Sequence, residues 1–348
     1  MATLVDIQAL GATTPVALLE AQLAGMLAAQ PSWPRLDVVL PRLGTSHALF
    51  VRTAYNFSDE TVEVLSVYFA PPDGVAVQRT WCSETQRRTL QRLRGSRDEL
   101  AQVSRAAVDE LVAGLMPVHL RERLHAGEVP ELVIVPCAEL WTVPWHASPT
   151  LAATSVSVAP SLSMWTSLTP GPGPISSVQA VVDESIIGVE ALVAALDAAA
   201  DNGLVIHRAR SRAQLEPTDL LVLYCHGAGE GLSYRLATPG GTVTAAELAS
   251  ARLARQALVV ACWSAGAPPV AVPISLPVAM LLTGAATVAG GLWPLPAVAA
   301  GELAADVVER ISRHRVGLGA AVQGATLARS DAVLHGAGIA VFGRHDRG

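Results

Sequence analysis

Leu220-Leu221-Val222-Leu223-Tyr224-Cys225-His226-Gly227 and Ala257-Leu258-Val259-Val260-Ala261-Cys262 are the two stretches whose reading decides the fold. Each apolar run has strand length and is continuously hydrophobic, as in a parallel sheet covered on both faces. Each gives way to Gly/Ser-containing chain, so both strands end near a chemically capable side chain. Ligands of open α/β sheets bind outside the carboxyl ends of the strands. The pattern therefore predicts an imidazole and a thiol on one sheet edge.

The neighbouring sequence alternates in the same way. Strands are expected at Ser177–Val182, Leu204–His207, Leu220–Tyr224, Ala257–Ala261 and Thr287–Gly290. Helices are expected at Gly188–Ala200, Ser211–Leu215, Thr244–Ala251, Ala297–Arg313 and Leu318–Ser330, with a last strand at Ile339–Phe342. Repeated β-α-β units predict a mostly parallel, helix-covered sheet. Thr244 and Glu247 form a capping box that marks one helix start independently of periodicity.

Upstream, Thr169-Pro170-Gly171-Pro172-Gly173-Pro174 can neither continue a helix nor donate fully to a sheet. It separates an N-terminal α+β region, residues 1–170, from a second unit at residues 176–348. In the first region, Thr13-Thr14-Pro15 precedes Val16, Leu18, Leu19, Leu23 and Leu27 at helical spacing. Thr61–Phe69 and Val75–Cys82 flank Pro71-Pro72-Asp73-Gly74 and read as a hairpin. Arg88–Arg94 and Arg97–Met116 read as helices, Glu131–Val135 and Val156–Ala159 as strands. No period of the length used by helical solenoids is visible.

At 348 residues and 51% hydrophobic content the chain buries sizeable cores. A net charge of -6 with scattered arginines lacks the basic stripe that nucleic acid requires, and no polybasic membrane-binding segment is present. The absence of lysine reads as the coding bias of a GC-rich bacterium. Gln256–Gly301 carries no charge, but its prolines leave Val278–Trp293 as the longest uninterrupted piece. Its 16 residues fall below the roughly 20 needed to cross a bilayer. Met1–Gly11 lacks a basic segment followed by an apolar one, so the expected location is the cytoplasm. Cys82, Cys137, Cys225 and Cys262 fit neither a zinc knuckle nor a disulfide scaffold, and reduced thiols are expected.

A Cys/His pair supports acyl transfer: the thiolate attacks a carbonyl carbon, the imidazole protonates the leaving amine, and backbone amides hold the oxyanion. Cys262 and His226 fit the first two roles, and the amides of Gly227 and Cys262 fit the third. Glycine after His226 permits close approach of backbone to substrate. Cys225 and His226, adjacent on a strand, point to opposite faces and make a poor metal pair; Cys225 reads as a buried thiol. His146, Cys137 and His335 read as structural.

Several separated segments resemble the CHAT family of caspase-like cysteine peptidases. Pro130–Pro136 with Leu140 and Val143-Pro144-Trp145-His146-Ala147 looks like a strand of the family and the motif after it, and Val158-Ala159-Pro160-Ser161 resembles the strand that follows. Leu223–Gly227 is similar to its histidine motif, Leu258–Cys262 to its nucleophile motif, and Leu282–Trp293 to its Leu-Trp segment. The likeness runs from about Thr61 to the C-terminus. It implies a caspase-like α/β sandwich from about Ser176, preceded by an α+β region that belongs from about residue 61 to the extended module.

The resemblance also implies His226 as base and acid, Cys262 as nucleophile, and no metal or organic cofactor. In such folds specificity is set partly at the end of the first strand, here Asp183 ahead of Glu184, where an acid favours Arg or Lys before the cut bond. The implied partners are a protein substrate and, with no sensor repeats in this chain, a separate activating protein or self-association. The expected setting is a bacterial defence or programmed-death pathway. Two departures motivate an alternative, a proteolytically inactive module acting as an interaction scaffold. Trp263-Ser264 stands where the family carries a small Thr-Gly, and no acid follows Trp293 between Pro294 and Val298.

Overall fold

The computed structural model describes residues 41–56, 61–71, 74–169, 173–251, 254–266, 274–329 and 333–344. The expected helix over Thr13–Leu27, the middle of the proline linker and the tip of the first hairpin lie outside them.

One large sheet organises the molecule. Its strands are β1 (His47–Asn56), β2 (Thr61–Ala70), β3 (Gly74–Trp81), β4 (Glu131–Pro136), β5 (Ser155–Val158), β6 (Ser177–Val182), β7 (Val205–Arg208), β8 (Thr218–Tyr224), β12 (Ala254–Val260), β13 (Thr287–Gly291) and β14 (Ile339–Gly343). Their spatial order is β3-β2-β1-β4-β5-β14-β13-β12-β8-β6-β7. The remaining strands, β9 (His226–Ala228), β10 (Arg235–Thr238) and β11 (Gly241–Thr244), form a small antiparallel sheet. In the large sheet β7-β6-β8-β12-β13 is parallel throughout, while β14 runs against β13 and the β1-β2-β3 meander is antiparallel.

The sheet does not stop at the proline linker, because β5 pairs in parallel with β14, at Val158 and Phe342. Side chains fasten the same junction. The Arg105 guanidinium donates to the carbonyls of Thr326, Leu327 and Arg329, at 2.8–2.9 Å. This neutralises orphan carbonyls at the end of a helix, where the dipole is negative. The Gln323 amide reaches the Leu151 and Thr154 carbonyls, both at 2.8 Å.

Period-two alternation sends successive strand residues into different cores. Val178, Leu220, Val222, Leu258 and Val260 face helices α3 (Glu190–Asp201), α6 (Ala297–His314) and α7 (Leu318–Leu327). Val181, Leu221, Leu223, Ala257 and Val259 belong to the other core, which α4 (Ala245–Ala251) and α5 (Leu276–Leu282) cover and which continues to the upstream helices α1 (Glu84–Leu93) and α2 (Arg105–Leu115). The expected capping box closes α4: the Glu247 amide donates to Thr244 Oγ1 at 3.2 Å and the Thr244 amide to Glu247 Oε2 at 2.8 Å.

Three local expectations need correction. Ser211–Leu215 is a single 3-10 turn at Arg212–Gln214 rather than an α-helix; Pro217 shortly after leaves it no room to propagate. Arg97–Met116 is divided into Arg97–Leu100 and Arg105–Leu115, because Ser104 caps a new helix start by accepting from the Ala107 amide. The sequence does not announce the small sheet, since its strands of three or four residues carry too few alternating side chains to register.

Candidate active site

Tyr224 of β8 is paired with Val260 of β12, so His226 and Cys262 both stand two residues beyond the last registered pair. The two residues leave the sheet differently. Cys225 keeps its side chain inside the core, with its amide near the Val260 carbonyl at 3.4 Å and its thiol against the Val181 carbonyl at 3.8 Å. The chain then turns out of the large sheet and His226 opens β9, paired with Ala237 of β10. His226 is solvent-exposed and Cys262 half-buried.

Among the described residues no hydrogen bond joins His226 to Cys262. The Cys262 sulfur instead accepts from the Leu295 amide at 3.4 Å. The segment where the expected acid is missing thus reaches the sulfur through its backbone.

Tyr234 connects the two sides. It is buried, at 2% exposure, and its hydroxyl donates to the Cys262 carbonyl at 2.6 Å. Burial pushes its phenol well above the ordinary range, with the charges of Cys262 and Cys225 adding to the effect, so it stays a donor. The same hydroxyl occupies the space where a side chain on Gly227 would begin, and a Cβ there would also stand 3.1 Å from Ala261 Cβ. Glycine is required beside His226 because the loop lies directly on the nucleophile turn.

That turn is held from below. Trp263 adopts φ of 58°, the left-handed region that bulky residues seldom enter, at a cost of ~1–3 kcal/mol. The reversal lets Trp263 donate to the Trp293 carbonyl at 3.3 Å and Ala265 to the Gly291 carbonyl at 2.8 Å. Ser264 Oγ accepts from the Gly291 amide at 2.7 Å and donates to the Val259 carbonyl at 3.2 Å. A side chain on Gly291 would collide with the Ala261 carbonyl. From the N-terminal region, Trp141 Nε1 donates to the Ala265 carbonyl at 2.9 Å and its ring stacks on Phe342.

Asp183 lies on the same edge, at the end of β6, its amide donating to the Tyr224 carbonyl at 2.9 Å. Its carboxylate accepts from the Ser185 amide and hydroxyl, at 3.0 and 2.6 Å. It borders a cavity of about 520 Å³ that Glu184, Arg208 and Arg210 also line. Arg208 is paired with Asp197 across 2.6 Å.

The other cysteines differ in setting. Burial pushes the Cys225 thiol up to about 12, with Asp183 contributing, and raises those of Cys82 and Cys137. His146 is buried and held neutral, its value lowered to about 3 by burial. His335 sits in a short helical turn, Val333–Gly336. Among the described residues no cluster of His, Cys, Asp and Glu is arranged to hold a metal ion. No described helix is long and apolar enough to cross a membrane.

Sequence reasoning missed Tyr234, Trp141, Ser264 and the Leu295 amide. Only Gly227 hinted at one of them, because a glycine after a strand signals close approach without naming what approaches.

A large mostly parallel sheet, helices on both faces and a thiol at a strand end define an α/β protein with a candidate nucleophile on its sheet edge. Residues 174–332 match the family model of the CHAT domain. Two crystal structures of the Saccharomyces cerevisiae separase–securin complex share the fold. One superposes with a TM-score of 0.59 at 10% identity, covering 94% of this chain and 31% of the other. The second gives a TM-score of 0.60 at 10% identity, covering 88% and 31%. The chain thus spans about a third of the length of the chains it matches. A comparison with curated protein sequences finds no match.

Proposed function

We propose that this protein is a cysteine endopeptidase, with residues 176–348 as its catalytic part and residues 1–170 as a companion region that braces the nucleophile turn. The observation that carries this is the common register of His226 and Cys262, each two residues beyond the Tyr224–Val260 pair, on the edge where α/β sheets bind ligands.

In this reading His226 takes the proton from Cys262, the sulfur attacks the scissile carbonyl, and the amides of Gly227 and Cys262 receive the oxyanion. His226 then protonates the leaving amine, and water releases the acyl group from Cys262. Asp183 binds an Arg or Lys side chain in the cavity it borders. Because no hydrogen bond joins the dyad in this state, engagement follows binding of substrate, of an activating protein or of a second copy. The separase structures were solved with a bound protein, securin, which supports a protein partner here. We assign a single protein target in a bacterial defence or death pathway, acting in the cytoplasm.

An electrophilic Arg-ketone peptide probe tests this reading. The expected result is labelling of Cys262, abolished by Cys262→Ala and reduced at least a hundredfold by His226→Ala. A folded protein that never labels, alone or with its neighbouring gene products, would favour the second reading, an interaction scaffold. The Cys262 sulfur bonded to the Leu295 amide rather than to His226, and the left-handed Trp263, are the features that favour it.

A further inference from the structure

A second cavity, of about 240 Å³, adjoins the nucleophile turn and shares no lining residue with the cavity at Asp183. Its walls include Glu230, Tyr234, Trp263, Ser275 and Leu276. Asp183 ends β6, His226 follows β8 and Cys262 follows β12, in that order across the sheet. For a chain laid along this edge with a peptide bond over Cys262, the Asp183 cavity and this one are separate places for side chains, since they share no lining residue.

The lining is chemically specific. The Trp263 ring is 38% exposed, held in place by its left-handed backbone, and Leu276 adds an aliphatic wall. Ser275 is 2% exposed, yet among the described residues its hydroxyl has no hydrogen-bond partner, and it does not cap the helix it precedes. A buried hydroxyl left unpaired is costly unless a ligand or water satisfies it. The Glu230 carboxylate has no ion pair among the described residues, and no described basic residue lines this cavity. The Asp183 cavity differs, since Arg208 and Arg210 stand in it beside the acids.

We propose that this cavity is a second substrate subsite, which takes a basic side chain from the residue following the cut bond. The aliphatic stem of that side chain lies against Trp263 and Leu276. Its cationic end meets the ring face, the Glu230 carboxylate and the Ser275 hydroxyl. This inference rests on the peptidase reading for the placement of the chain, while the chemistry of the cavity stands by itself.

The test uses the full chain carrying Cys262→Ala and fluorescein-labelled hexapeptides with Arg at the fourth position and Lys, Leu or Glu at the fifth, read by anisotropy. The Lys peptide is expected to bind about tenfold more tightly than the Glu peptide, in line with one desolvated cation–π contact and one charge pair. Glu230→Gln is expected to erase the advantage of Lys over Leu, and Trp263→Ala to weaken both. Equal affinity for Lys and Glu, a Lys preference that survives Glu230→Gln, or no binding of any peptide overturns the subsite. Cleavage by the unmodified chain is scored separately. A Lys preference without Cys262-dependent cleavage removes the peptidase reading and keeps the subsite, whereas cleavage without the preference does the opposite.

Discussion

The Tyr234 hydroxyl donates to the Cys262 carbonyl at 2.6 Å, so a single buried side chain ties the loop after His226 to the turn that carries the sulfur. Tyr234→Phe keeps the ring and removes this bond. The expected cost is ~1 kcal/mol, because a partly buried carbonyl loses its donor. Chemical denaturation measures the loss, and slower probe labelling of Cys262 shows that the turn has loosened.

Gly227→Ala tests the same contact from the opposite side. Its methyl group would overlap the Tyr234 hydroxyl and press on Ala261. Destabilisation of ~1–3 kcal/mol is expected from overpacking, with a lower melting temperature and reduced labelling of Cys262. Unchanged values for both would show that the loop is free to move away from Tyr234.

Trp141→Phe removes the donor to the Ala265 carbonyl and leaves most of the stack on Phe342. We expect a loss of ~1–3 kcal/mol together with altered reactivity at Cys262. The paired readout distinguishes a brace on the nucleophile turn from general packing, which would leave reactivity unchanged.

Thiol chemistry provides a third kind of check. Cys225 is buried with its thiol pushed up to about 12, and Cys137 is buried and raised as well. Thiolate character and access govern alkylation. With iodoacetamide at pH 8, peptide mass spectrometry of the native protein is expected to find Cys262 modified well before Cys137 or Cys225. Those two should react only after unfolding.

His146 makes stability depend on pH. Its folded value of about 3 lies below the ordinary 6.5 because burial disfavours the charged ring. As pH falls below 6.5 the unfolded chain takes up the proton first, so stability declines from there down to about pH 3. The decline is at most about 1.4 kcal/mol per pH unit. His146→Leu should flatten this part of the curve in thermal melts between pH 6.5 and 4.5.

Much of the fold was legible in the sequence because burial dictates composition. β6, β8 and β12 had to be continuous apolar runs, and Thr244 with Glu247 announced a helix start through a local hydrogen bond. β9–β11 were not legible, being short and paired only with each other. The edge location of Cys262 and Asp183 followed from the ends of their strands. The exit of His226 into a second sheet did not, since nothing after Cys225 shows which sheet accepts the chain.

The sequence by itself determined an α/β sheet with a histidine and a cysteine just past the ends of two strands, because strand period and hydrophobicity are local properties. Only the tertiary structure decided what surrounds them. Tyr234 meets Cys262 across 28 residues, the Leu295 amide meets its sulfur across 33, and Trp141 reaches the same turn across 124. Such contacts depend on how strands are ordered and loops close over them, and no local pattern of residues encodes that.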